Sequence, residues 1–219
     1  MDIRKLFDDK SEIYAQARPR YPTALYEWLA GVCLARHSVW DAGCGNGQAA
    51  LDLADYFESV EATDVSATQI ANVPDCDGVR FSVQPAEKTD FASASFDAVC
   101  VAQALHWFDH DLFWPEVQRV LKPGGVFAAW GYNWPHINPE IDEILDQSFL
   151  SVIRPYWARQ NKLLWNGYRE VPFPLEPLEV PDIGLTMQWS VEQFFAYLHR
   201  RQERPGERKP SGSCPWNSS

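Results

Sequence analysis

Leu25, Trp28, Leu29 and Val32 recur three and four residues apart, a spacing that predicts a helix with one apolar stripe ahead of the apolar pair Val39 and Trp40. Short apolar runs follow at residues 39–41, 60–64, 79–83, 96–102 and 125–130, each of strand length, with helix-spaced segments between them. The first such segment carries Ala50, Leu53, Ala54 and Phe57. After Asn138-Pro139, a capping residue followed by a first-turn proline, Ile141, Ile144, Leu145 and Phe149 mark another helix. Residues 185–189 read as a sixth strand, and Ser190 with Gln193 forms a capping box before a helix bearing Val191, Phe194, Phe195 and Leu198. The alternation predicts an α/β fold, a doubly wound and mostly parallel sheet with helices on both faces.

Between the first strand and its helix lies Asp41-Ala42-Gly43-Cys44-Gly45-Asn46-Gly47. Gly43, Gly45 and Gly47 let the backbone turn sharply and let a ligand approach where a β-carbon would clash. A dinucleotide fingerprint needs its third glycine where this chain has Gln48, and the phosphate-clamping Gly-Lys-Ser/Thr ending is absent. Asp41, opening the loop, suits an ammonium or its hydrating water better than a pyrophosphate. The loop therefore predicts a ligand with a cationic end. Cys44 inside it reads as packing.

Asp64 closes the second strand, where a carboxylate can accept both hydroxyls of an adenosine ribose. Such charge-assisted bonds contribute about 1.5–3 kcal/mol. A helix cap or a solvated side chain is the plainer alternative. Ser66 with Gln69 reads as a capping box for the next helix.

Taken with Gln84-Pro85-Ala86-Glu87, residues 96–109 and Arg119-Val120-Leu121-Lys122-Pro123-Gly124-Gly125, this loop and Asp64 resemble the class I S-adenosylmethionine-dependent methyltransferases. Within that class Gln103-Ala104-Leu105-His106-Trp107-Phe108 resembles the small-molecule branch that includes trans-aconitate methyltransferase-like proteins, with their type 11 methyltransferase domain. The resemblance covers residues 5–198. It implies a Rossmann-like sheet and S-adenosylmethionine as cofactor. It further implies that Ala86 and Glu87 border the adenine and that Gln103 lies near the methionine portion. The segment from Tyr14 to Pro22 would cover the cofactor, with Tyr14 and Arg18 meeting its carboxylate.

In doubly wound sheets ligands sit beyond the carboxyl ends of the strands, which gathers the loops after the first four strands into one site. His106 and Trp107 then stand where a methyl group would be presented. A histidine there can act as a general base or, charged, hold an acceptor carboxylate; a structural hydrogen-bonding role is the alternative. Methyl transfer is an in-line displacement, and alignment alone can supply about 7–11 kcal/mol. Residues 152–184, rich in aromatics, prolines and charges including Arg154, Arg159, Tyr156, Trp157, Trp165 and Tyr168, read as an acceptor lid. Its arginines would suit a carboxylate, although a solvated helix would look the same.

A chain of 219 residues with 46% hydrophobic content can bury one full core. The charged start and the absence of a long apolar run predict neither secretion signal nor membrane span, and hence a cytoplasmic protein. Five cysteines without metal-ligand pairing read as reduced thiols, and the five histidines offer no convincing metal cluster. A net charge of −11 opposes nucleic-acid binding, and the fourth strand runs into Ala102-Gln103-Ala104-Leu105 rather than an Asn/Asp-Pro-Pro-aromatic turn.

The C-terminus departs from the family, which would continue with another helix and a seventh strand inserted between the fifth and sixth. Residues 200–219 have no strand pattern and read as a disordered tail on a domain of residues 1–199, in a truncated or frame-altered version of a longer enzyme. The C-terminal strand hairpin would be incomplete, leaving a sheet edge open to another chain. The main reading is a methyltransferase acting on a small-molecule acceptor. The alternatives are a non-catalytic S-adenosylmethionine-binding protein and a nicotinamide oxidoreductase.

Overall fold

Each of the five apolar runs forms a strand in the computed structural model, which describes residues 19–202, the last four without their side chains. They are β1 (Val39–Ala42), β2 (Val60–Asp64), β3 (Val79–Val83), β4 (Phe96–Ala102) and β5 (Leu121–Trp130). All pair in parallel, in the order β3-β2-β1-β4-β5. β1 is buried along its whole length and β4 along all but its last residue, as a parallel sheet covered on both faces requires. Pro22–Ile183 form one compact unit, while residues 19–21 and 184–202 belong to a second.

Helices α1 (Thr23–Val32), α2 (Gln48–Leu53), α3 (Ala67–Ile70) and α4 (His110–Val120) accompany the sheet. After β5 come α5 (Pro139–Leu145), a wider π-type turn Asp146–Leu150, and the short helices α6 (Ser151–Ile153) and α7 (Asn161–Trp165). In α1 the buried side chains are Tyr26, Leu29 and Ala30, so the buried face is turned slightly from the one read in the sequence. Trp40 anchors the core: it is fully buried, its ring lies 5.8 Å from Phe91, 6.2 Å from Phe96 and 6.3 Å from Phe113, and its Nε1 donates to Thr63 Oγ1 at 2.9 Å.

Local signals govern the helix starts. Asn138 Oδ1 accepts from the Ile141 amide at 2.9 Å, with Pro139 in the first turn of α5. In the second unit, α8 (Val191–Gln202) opens on a complete capping box: Ser190 N donates to Gln193 Oε1 at 2.8 Å and Gln193 N to Ser190 Oγ at 3.3 Å. Ser66 accepts from the Gln69 amide at 3.3 Å, but its own amide donates to Asp64 instead, so the Asp64 carboxylate displaces Gln69 from the second half of that box.

Three expectations are corrected. No helix forms between β3 and β4; residues 84–95 make turns, stitched by the Thr89–Glu116–Arg119 cluster in which Thr89 N and Oγ1 donate to Glu116 Oε1 at 2.7 and 2.6 Å. β5 begins at Leu121 rather than residue 125, with an irregular register between Phe96 and Ala98 that absorbs the Pro123-Gly124-Gly125 run. Residues 185–189 form no strand, because an apolar alternation becomes a strand only when its amides and carbonyls find a ladder, and none is formed there. Among the described residues the sheet edges are therefore β3 and β5. Tyr14 and Arg18, expected as cofactor cover, and residues 203–219 of the expected tail 200–219 lie outside the described residues, while residues 200–202 continue the backbone of α8.

Candidate active site

The turn after β1 is fixed by β2. Gly43 N and Cys44 N both donate to the Thr63 carbonyl, at 2.8 and 2.9 Å, and Gly47 N returns to Cys44 O at 2.9 Å. Gly43, Gly45 and Gly47 have φ of +73°, +57° and +81°, the left-handed region that glycine enters freely. Their surroundings differ. A β-carbon on Gly43 would lie 2.7 Å from Ala104 Cβ, and one on Gly47 would lie 2.8 Å from the Phe81 ring. On Gly45 it would meet nothing within 4 Å. The outer glycines serve packing, and the middle one leaves backbone open to a ligand.

Asp41 lies beneath this turn with no exposed surface, and neither carboxylate oxygen has a hydrogen-bond donor. Its neighbours across the sheet are Ala62 on β2 and Cys100 on β4, neither of which offers a charge. Burial pushes its carboxyl up to about 7; the Ala50 amide eases this in part without making a hydrogen bond, and the Asp64 charge adds to it. A buried ionisable group left in this state is costly unless something satisfies it.

Asp64 is engaged on both oxygens: Oδ2 accepts the Gly45 amide at 2.9 Å and Oδ1 the Ser66 amide at 2.8 Å. It therefore ties the glycine turn to the start of α3, and each oxygen retains a further lone pair for a hydroxyl. Ala86 is buried in the core cluster. Glu87 Oε1 accepts the Asp109 amide at 3.0 Å, pinning the loop after β3 to the start of α4, whose N-cap is Asp109. Gln103, with φ of +59°, donates its amide to Trp130 O at 2.9 Å and its Nε2 to Tyr132 O at 3.1 Å, so it clips the end of β4 to the chain leaving β5. Asp41, the glycines, Asp64, Ala86, Glu87 and Gln103 thus occupy the carboxyl edge of one sheet, where the sequence reading assembles them.

His106 is buried, its Nδ1 3.1 Å from the Tyr168 hydroxyl and its ring 4.8 Å from that of Trp107. Burial holds its imidazole down to about 4, against a hydrogen bond it donates to the Asn161 side chain, which works the other way. It is neutral at physiological pH and offers a base but no positive charge. Trp107 is 55% exposed. The sequence reads Tyr168 only as one of the lid aromatics, not as the partner of His106; the Asn166-Gly167 pair before it is a turn signal, and Tyr168 itself has φ of +57°.

A protein from Dictyostelium discoideum designated a methyltransferase is 32% identical over 199 residues, covering 87% of this chain and 76% of that one. The solved structure of a protein titled a type II methyltransferase, from Anaeromyxobacter dehalogenans, superposes with a TM-score of 0.77 at 42% identity, covering 83% of this chain and 77% of the other. The chain belongs to the class I S-adenosylmethionine-dependent methyltransferases. Residues 40–129 of this methyltransferase match the methyltransferase domain family, from β1 to the end of β5. A Saccharomyces cerevisiae protein designated an S-adenosylmethionine-dependent methyltransferase is 29% identical over 174 residues, covering 74% of this chain and 58% of that one. The cofactor of this methyltransferase is accordingly S-adenosylmethionine.

Proposed function

We propose that this methyltransferase transfers a methyl group to a small-molecule acceptor, and that Asp41, Gly43, Gly45, Gly47, Asp64, Ala86, Glu87 and Gln103 hold the cofactor. The observation that carries this is Asp41, a fully buried carboxylate without a donor beneath a turn whose middle glycine opens outward. Asp41 would accept from the ammonium of the cofactor or its bound water and so return to its charged form. Asp64, already fixed by two amides, presents its remaining lone pairs for paired hydroxyls. Tyr14 and Arg18 are assigned to the cofactor carboxylate on resemblance alone.

S-adenosylmethionine, when bound, would supply an electrophilic methyl group on a sulfonium for in-line displacement by the acceptor's lone pair. The chain's part is alignment and exclusion of water. His106, held neutral by burial and oriented by Tyr168, is placed to receive a proton from an acceptor that carries one, with Trp107 beside it as wall.

The carboxylate preference read from the lid arginines weakens, since Arg154 is paired with Asp146 and His106 carries no charge. No helix among the described residues is long and apolar enough to cross a membrane. The net charge of −11 supports a small acceptor over a nucleic acid.

Calorimetric titration with S-adenosylmethionine and S-adenosylhomocysteine tests the site. Both ligands are expected to bind wild type and to lose affinity in Asp41→Asn and Asp64→Ala. Equal affinity in the variants would remove these two residues from the cofactor site. Formation of S-adenosylhomocysteine across a panel of small acceptors then tests the transfer itself.

A further inference from the structure

Beyond the end of β5 the chain builds a cleft of about 530 Å³, a volume in the range of small-molecule pockets. Its aromatic walls are Trp134, Trp157 and Trp165. Trp157 and Trp165 lie 4.8 Å apart, inclined at 49°; Trp134 and Trp157 lie 6.1 Å apart, inclined at 48°. Rings inclined to one another in this way do not stack flat, and together they line the cleft, with Trp134 also packed 5.6 Å from Phe149.

The cleft joins the carboxyl edge of the sheet. Gln103, at the end of β4, holds the Tyr132 carbonyl at 3.1 Å, and the next residue, Asn133, lines the cleft and donates its Nδ2 to Trp165 O at 3.1 Å. Gln103 thus links the cleft to the carboxyl edge of the sheet through the segment leaving β5, within the same compact unit.

Its polar lining is acidic. Asp142, Glu143 and Asp146 face a single guanidinium, that of Arg154, which pairs with Asp146. The Asp142 carboxylate meets the Ile137 amide at 2.9 Å and the His136 ring at 3.3 Å. Glu143 meets the Gln147 side-chain amide at 3.0 Å. Neither charge is offset by a lysine or arginine among these contacts. Negative faces of indole rings and three carboxylates against one guanidinium repel an anion and attract a cation, the more so when it is planar or carries a greasy body.

We propose that this tryptophan box binds the cationic, amine-bearing part of the methyl acceptor, and so selects basic small molecules over carboxylates. The proposal rests on the reading of the chain as a small-molecule methyltransferase. Recognition by the box and methylation are separable, because the positive group seated there need not be the nucleophile.

The test uses the full chain and a matched pair of probes, phenethylamine and 3-phenylpropionate, with binding read by tryptophan fluorescence and calorimetry and S-adenosylmethionine affinity measured in parallel. The amine is expected to bind about five- to thirty-fold more tightly than the acid, the span of a partly desolvated cation–π contact. Trp157→Ala and the gentler Trp157→Phe should reduce that preference in order, and Glu143→Gln should reduce it while keeping the Gln147 contact; none should change S-adenosylmethionine affinity. Equal or tighter binding of the acid, or a preference untouched by all three variants, overturns the proposal. S-adenosylmethionine binding without any amine binding also sinks the box and spares the cofactor site; amine binding without cofactor binding does the reverse.

Discussion

Two buried aspartates on adjacent strands meet opposite fates. Asp97, near the start of β4, receives the amides of His37 and Ser38 at 2.8 and 2.9 Å and the Lys122 ammonium at 2.8 Å. Burial alone would raise its carboxyl, yet Lys122 and the two amides together hold it below the ordinary carboxylate range. Asp41, near the end of β1, is more deeply buried and has only the Ala50 amide close by, outside hydrogen-bond geometry, so the same burial leaves it raised to about 7. The amino edge of the sheet completes its own polar network. The carboxyl edge leaves one unfinished, and an incomplete buried charge is what a binding site looks like before its ligand arrives.

The largest expected effect falls on the finished network. Asp97→Ala strands Lys122 and two amides and should cost about 2–4 kcal/mol in chemical denaturation, with cofactor affinity nearly unchanged. Comparable loss from Asp41→Ala would erase the contrast between the two edges.

Asp41→Asn should act in the opposite sense. Without ligand, the variant should gain on the order of 1–3 kcal/mol of stability at pH 8, because it removes a raised buried acid, while S-adenosylmethionine affinity falls about tenfold or more. The sign can be followed with pH. The folded state holds a proton on Asp41 that the unfolded chain has lost, so its contribution makes stability fall as pH rises from about 4 to about 7. His106, held down to about 4, works oppositely: the unfolded chain takes up a proton below about 6.5 that the folded imidazole refuses, so stability falls on acidification. The two slopes offset in wild type. Thermal melts of Asp41→Asn should therefore expose the histidine slope between pH 6.5 and 4, and a flat profile would remove one of the two groups from the account.

Among the glycines, Gly43→Ala drives a β-carbon into Ala104 at 2.7 Å and should cost about 1–3 kcal/mol of stability. Gly45→Ala has room and carries only backbone strain, so about 1 kcal/mol is expected, with a larger loss read in cofactor titration. If Gly45→Ala binds as wild type, the open face is not the cofactor's. The smallest effect is reserved for Tyr168→Phe, which strips the buried His106 of its 3.1 Å hydroxyl partner and should cost about 0.5–1.5 kcal/mol in denaturation melts.

Periodicity in the sequence located all five strands because a buried parallel strand must be apolar regardless of its partners, and β1 to β4 begin within the runs read from it. Caps at Asn138 and Ser190 were equally legible, since both rest on contacts three residues apart. Legibility failed where a partner lay far along the chain. Residues 185–189 have strand alternation but no ladder, and Ser66 lost Gln69 to a carboxylate two residues upstream that is itself fixed by the glycine turn. Tyr168 is legible as part of the lid, but its pairing with His106 is not, nor is the Trp134 wall, because the partners His106 and Trp157 lie 62 and 23 residues away.

Sequence by itself determined the sheet, the glycine turn and the acids flanking it, because strand burial and left-handed backbone impose residue choices locally. It also determined the family and hence the cofactor. Only the tertiary structure decided which acid is satisfied and which is not, that His106 is neutral, and that three tryptophans form a box with acidic walls. Charge state and concavity depend on what several distant segments bring to one place, and no single stretch of the chain encodes that.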